Sequence, residues 1–146
     1  MDTIVPNNVT LFDIAEAEMV KMEPVQMPLT HGFSPGLYKR KIFMPKGTLV
    51  STRIHKTRHP FFILQGKVQI IEPDKTYEVE APFDDYTEPD TQRLIYVLED
   101  CVWVTCHATD LTDPDEIAEE ITYHDNPLLD KEDPRLKAYK AEPALA

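Results

Sequence analysis

The sequence predicts an all-β domain, a small barrel or sandwich of short strands with a short helix and an extended arm on each side. Three observations carry this. Runs rich in Val, Ile, Tyr, Phe and Thr follow one another from Leu37 to His107 and are broken at short intervals by turn residues. The flanks lack that texture and hold helix-capping patterns instead. The chain has 146 residues, 42% of them hydrophobic, enough for one core of ordinary size.

The elements read in order as follows. Residues 1–9 look irregular. Thr10 followed by Asp13 caps a short helix over about 11–22, with Phe12, Ala15 and Met19 on one face. Residues 23–36 hold three prolines and two glycines, the composition of an extended arm. Strands are expected at 37–44, 48–55, 60–64, 67–72, 76–80, 93–98 and 101–107. The breaks between them are Pro45-Lys46-Gly47, Gln65-Gly66, Pro73-Asp74 and Glu99-Asp100. A two-residue turn at Glu99-Asp100 would pair Leu98 with Cys101, Tyr96 with Trp103 and Arg93 with Cys106. Arg93 and Cys106 would then face inward. Tyr96, Trp103 and His107 would face outward, the aromatic pair under an arm or another subunit. Asp113-Pro114-Asp115-Glu116 opens a second helix with an N-cap aspartate, a proline at the first helical position and acids in the first turn. Its Ile117 and Ile121, with Tyr123 beyond, would face the barrel. The expected organisation is an N-terminal arm with a helix (1–30), a barrel (31–109), and an acidic C-terminal helix and arm (110–146).

The net charge of −11 sits entirely in the flanks: −4 over residues 1–30 and −7 over 107–146, with a neutral middle. A nucleic-acid partner would require a basic stripe, so none is expected. The acidic arms suit solvation, or docking on a second copy or another protein. The cysteines, Cys101 and Cys106, form neither a disulfide framework nor a Cys-x-x-Cys pair, which favours a reducing compartment. No signal-peptide pattern opens the chain, and its apolar runs are too short to cross a membrane.

The stretch from Gly47 through Arg53-Ile54-His55-Lys56-Thr57-Arg58-His59 to Gly66 resembles the first motif of the cupin superfamily. That motif runs from a glycine to His-x-His, a glutamate, and a turn glycine. Aligned on Gly66, His59 stands at the glutamate position, His55 at the second histidine and Arg53 at the first. The second motif, Pro-x-Gly-x-x-His, is replaced by Glu88-Pro89-Asp90-Thr91-Gln92-Arg93, with Arg93 at the histidine. A narrower resemblance rests on Thr30-His31-Gly32-Phe33, Gly36-Leu37-Tyr38, the segment from Ile54 to His59, and the segment from Leu98 to His107. These are similar to the small cupin proteins of tailed bacteriophages and prophages, although Leu98 stands where that group has a histidine. The resemblance implies a cupin (jelly-roll) barrel and a phage origin, hence a place in the host cytoplasm or the virion. It implies no reaction.

The ligand set supports two chemistries. Arg53, His55, His59 and Arg93 at one barrel mouth would repel a cation and favour a small anion, a carboxylate or phosphate, with no metal cofactor. On this reading the protein is a non-enzymatic structural or assembly module, a homo-oligomer or a virion component bound through its arms. Alternatively, His55 and His59 bind a divalent transition metal in a small dioxygenase or isomerase. In a straight strand they would lie about 13 Å apart. They converge only if Lys56-Thr57-Arg58 turns, and the site needs a third ligand, for which His107 is the candidate. His31 is expected to anchor the arm. No phosphate loop, nucleophile elbow or zinc-finger spacing occurs.

Overall fold

The structure is a computed structural model and describes residues 9–123 and 126–129. The readings made for residues 1–8 and for the arm beyond Leu129 fall outside the described residues. Helix α1 (Leu11–Met19) starts at Thr10 with a reciprocal capping box: the Asp13 N–H donates to Thr10 Oγ1, and the Thr10 N–H donates to Asp13 Oδ2. It ends three residues before the expected boundary. Phe12, Ala15 and Met19 do form one face, packed on Leu94 and Ile71.

Seven strands make one antiparallel sheet that wraps around a core, in the order β1 (Leu29–Ser34), β2 (Leu37–Met44), β8 (Leu94–Ala108), β5 (His59–Ile71), β6 (Thr76–Glu80). The strands β3 (Leu49–Ser51) and β7 (Phe83–Thr87) pair with β8 and β5 respectively. Two short strands, β4 (Ile54–His55) and β9 (Thr122–Tyr123), form a separate ladder. The long strands β5 and β8 serve both walls. The first half of β5 lies between β7 and the end of β8; its second half lies between β6 and the start of β8. Inward positions from both walls meet in one cluster that includes Ile42, Met44, Val50, Phe61, Ile63, Val68, Ile70, Ile95, Val97 and Trp103. This is the cupin-type double-stranded β-helix. Helix α2 (Pro114–Ile121) starts on the Asp113 cap and packs Ile117 and Ile121 against Tyr38.

Four expectations need correction. The segment read as an extended arm contains β1, paired along its length with β2 through a turn at Gly36, whose φ is +73°. Its prolines and Gly36 flank the strand, Gly32 lies within it, and together they mask it. Strands β7 and β9 were also not foreseen; both are short and acidic or polar in sequence. Glu99-Asp100 is not a hairpin turn, and β8 runs straight through it. Gln65-Gly66, also read as a turn, lies opposite within β5, where the register shifts in a bulge. Gly66 has φ +94°, and a Cβ there would run into the Asp100 carbonyl. Two apparent turns are therefore one bend in a pair of continuous strands.

That bend reverses the inferred facing. In an uninterrupted strand, odd positions share a face, so Cys101, Trp103, Thr105 and His107 all point inward and are buried. Trp103 lies in the core, stacked on Phe61 at 4.7 Å, and not on an outer face opposite Tyr96. Tyr96 pairs with Leu49 and Gln69 and is exposed. Cys106, expected inside, alternates to the other face, and Cys101 takes the core position. Burial pushes the Cys101 thiol up to about 12.

Candidate metal centre

Three histidines arrive from three strands. His59 opens β5 and His107 nearly closes β8, which places them side by side at one end of that strand pair. His55 ends β4, and the Lys56-Thr57-Arg58 turn folds the chain back, so His55 and His59 converge as the turn reading required. The ring centroids lie 4.3 Å (His55–His59), 4.4 Å (His59–His107) and 5.4 Å (His55–His107) apart. One ring nitrogen from each lies within 4.8 Å of the others, and the three residues are 5%, 3% and 3% exposed. His107 is thus the third member of the cluster, which the mistaken hairpin had turned outward.

The hydrogen bonds orient the rings. His59 Nδ1 lies 3.2 Å from the Thr57 carbonyl; donating there fixes the tautomer and leaves the Nε2 lone pair open. His107 Nε2 lies 2.9 Å from Thr105 Oγ1, and its Nδ1 is buried with no hydrogen-bond partner among the described residues. A buried nitrogen of this kind carries the full cost of lost solvation unless something binds it. Burial comes first among the causes holding all three imidazoles below the ordinary histidine range. Neighbouring His59, His107, Arg40 and Arg93 add to it for His55, which falls to about 2. His59 and Arg40 add to it for His107, at about 3. Burial and Arg93 lower His59 against its bond to Thr57. All three are neutral at neutral pH, the form that ligates a cation. The donor set, its protonation state and the orphaned Nδ1 fit a divalent transition metal.

The two arginines of the sequence alignment differ in their surroundings. Arg93 is buried beside the cluster and lies over the Phe61 ring at 4.9 Å. Its Nε donates to Glu72 at 3.0 Å and its Nη1 to Thr87 Oγ1 at 2.6 Å. Glu72 is thus its acidic partner. Arg53 is not among the charges acting on the three histidines. Its acidic neighbours are Glu16 and Glu119, on the two helices, and burial lowers its pKa against them. Arg40, which the sequence reading passed over, does act on His55 and His107. Burial brings its guanidinium down to about 10. The available signal was the alternation of β2, which puts Arg40 on the inward parity with Tyr38, Ile42 and Met44.

Tyr38 was also missed. It stands opposite His107 in the β2–β8 register, and its ring stacks on His107 with centroids 6.0 Å apart. Its hydroxyl meets His31 Nδ1 at 2.6 Å, so His31 anchors β1 to this residue. No helix among the described residues is long and apolar enough to cross a membrane.

No protein-family model matches the chain, and no curated protein does. Solved structures match in fold. A cupin superfamily protein from Desulfitobacterium hafniense DCB-2 is 15% identical with a TM-score of 0.52, over 73% of this chain and 95% of that one. An RmlC-like cupin with a double-stranded β-helix fold from Methanocaldococcus jannaschii is 11% identical (TM-score 0.50), over 63% and 85%. The DMSP lyase DddQ from Ruegeria pomeroyi DSS-3 is 13% identical (TM-score 0.51). That match covers 60% of this chain and spans about half of the lyase, 49%.

Proposed function

We propose that this protein is a metal-dependent cupin that holds a divalent transition-metal ion on His55, His59 and His107 and acts on a small anionic molecule. The observation that carries the reading is the buried convergence of three neutral imidazoles, with His107 Nδ1 left open. Bound there, such an ion would supply a Lewis acid, and a redox centre if it were iron or copper. The chain's own residues do the rest. Thr57 and Thr105 hold two of the rings in their ligating tautomers. Phe61 and Trp103, two and four positions from His59 and His107 along β5 and β8, stack on each other and are buried. No carboxylate joins the histidine cluster among the described residues, so the ion would keep its full charge there. That excess of positive charge favours a carboxylate or similar anion as the molecule that completes the site.

The sequence argument against a cation rested on the charges of Arg53 and Arg93. Glu72 on Arg93, and Glu16 and Glu119 near Arg53, weaken it. The test is elemental analysis of protein purified without chelators. Near-stoichiometric zinc, iron, nickel or manganese is expected, lost in His55→Ala/His59→Ala. Metal-free protein that also takes up none of these ions on reconstitution would end the reading.

A second reading, a phage assembly module without catalytic activity, is favoured by the exposed sheet edge at β1, where Phe33 and the adjoining Leu37 are open to solvent. Light scattering before and after removal of residues 124–146 tests it through the mass of the assembly.

A further inference from the structure

Of the three histidines, two stand on the long strands that build the barrel, and the third does not. His55 lies on β4, two residues long, whose only ladder partner among the described strands is β9. A two-residue ladder has little stability of its own. The backbone around His55 is tied to the same C-terminal region by further bonds. The Lys56 N–H donates to the Ile121 carbonyl at 2.7 Å, and Lys56 Nζ reaches the Glu119 carbonyl at 3.4 Å. The Asp90 N–H donates to the His55 carbonyl at 2.8 Å, and the Asp90 carboxylate accepts from the Tyr123 hydroxyl at 3.2 Å.

The same region touches a second ligand and the N-terminal helix. Ile117 and Ile121 of α2 pack on Tyr38, whose ring covers His107. Past β9, buried Asn126 donates through Nδ2 to the Asp13 carbonyl at 2.9 Å and to Glu16 Oε1 at 3.3 Å. Glu16 Oε2 in turn accepts from Ser51 at the end of β3, the strand that leads into His55.

We propose that residues 114–123, with Asn126, form a strap that positions His55, so that strap docking and metal binding are thermodynamically linked. This rests on the three-histidine metal reading above. With the strap undocked, only His59 and His107 remain fixed, and the apparent affinity falls with the docked fraction. By reciprocity, a bound ion holds the strap down by the same factor.

Cobalt(II) titration of the full chain, followed by its visible spectrum, gives the first measurement; hydrogen exchange gives the second. Tyr123→Pro removes a ladder donor and is expected to weaken cobalt binding about 10- to 100-fold, the range typical of lost outer-shell support. It should also speed exchange of the amides at 54–56. Tyr123→Phe, which keeps the ladder and loses only the hydroxyl bond to Asp90, should weaken cobalt binding less than Tyr123→Pro does. Val79→Ala on β6, away from the site, should lower thermal stability with the cobalt affinity unchanged. In the wild type, cobalt should slow exchange over 117–123. A folded Tyr123→Pro protein with wild-type cobalt affinity and wild-type exchange at 54–56 would overturn the proposal. If that variant does not fold, Asn126→Ala is judged by the same two measurements. If the wild type takes no cobalt, the metal reading fails, and exchange at 54–56 in the metal-free variants still decides whether the strap holds His55.

Discussion

The inward faces of β5 and β8 have two stretches that are equally dry and chemically unlike. Along one, Ile63, Val68, Ile70, Ile95, Val97 and Trp103 fill the space between the walls, an apolar packing in which Trp103 Nε1 alone among these side chains is a buried polar atom without a hydrogen-bond partner. Along the other, His59, Thr105 and His107 meet His55 and Arg40, all buried, with a ring nitrogen lacking a partner. Burial in the first stretch stabilises the fold. In the second it costs free energy, because polar groups lose water without full replacement. A barrel of this size could close its mouth with more Val and Ile, so the polar stretch is the part of the barrel that packing alone does not explain.

Substitutions can sharpen that contrast. The largest effect is expected at Trp103, stacked on Phe61 in the apolar stretch. Trp103→Ala should cost about 3–5 kcal/mol in chemical denaturation through the cavity it leaves. A loss under about 1 kcal/mol would mean the core assignment is wrong.

Acid should then act through the polar stretch. The folded-state values of His55 and His107, about 2 and about 3, lie below the ordinary histidine value of 6.5. The unfolded chain therefore takes up protons first as pH falls. Stability of the metal-free protein is complete above pH 6.5 and declines below it, by up to ~1.4 kcal/mol per pH unit for each histidine. His55→Ala/His107→Ala should flatten that profile between pH 6.5 and 4. An equally steep profile in the double variant would assign the acid sensitivity to other groups.

Arg40→Gln tests the polar stretch from the ligand side. Removing that charge should weaken carboxylate binding to metal-loaded protein about tenfold, ~1.4 kcal/mol, measured by calorimetry with acetate or oxalate. It should also strengthen cobalt binding, since one repelling charge is gone. Unchanged carboxylate affinity would remove Arg40 from the site. The smallest effect belongs to the flank: Thr10→Ala breaks the α1 capping box and should cost about 1 kcal/mol, with metal uptake unaltered.

Local physics was legible in the sequence wherever it decides an outcome alone. The strand runs at 37–44 and 76–80, the Thr10–Asp13 box and the Asp113-Pro114 start each depend on residues within a few positions of one another, and each matches the structure. His55 and His59 could be paired because the turn between them is local. Tertiary structure decided the rest. Glu99-Asp100 and Gln65-Gly66 mark interruptions of regular pairing, yet a turn and a bend in a continuous strand draw on the same residue types. Which one forms depends on whether β8 finds β2, β3 and β5 along its whole length, contacts that lie far apart in sequence. That single choice turned His107 and Trp103 inward and Cys106 outward. The same non-locality put Arg40 rather than Arg53 among the charges on the histidines, because a residue's neighbours across a barrel are set by sheet order and register, and not by its distance along the chain.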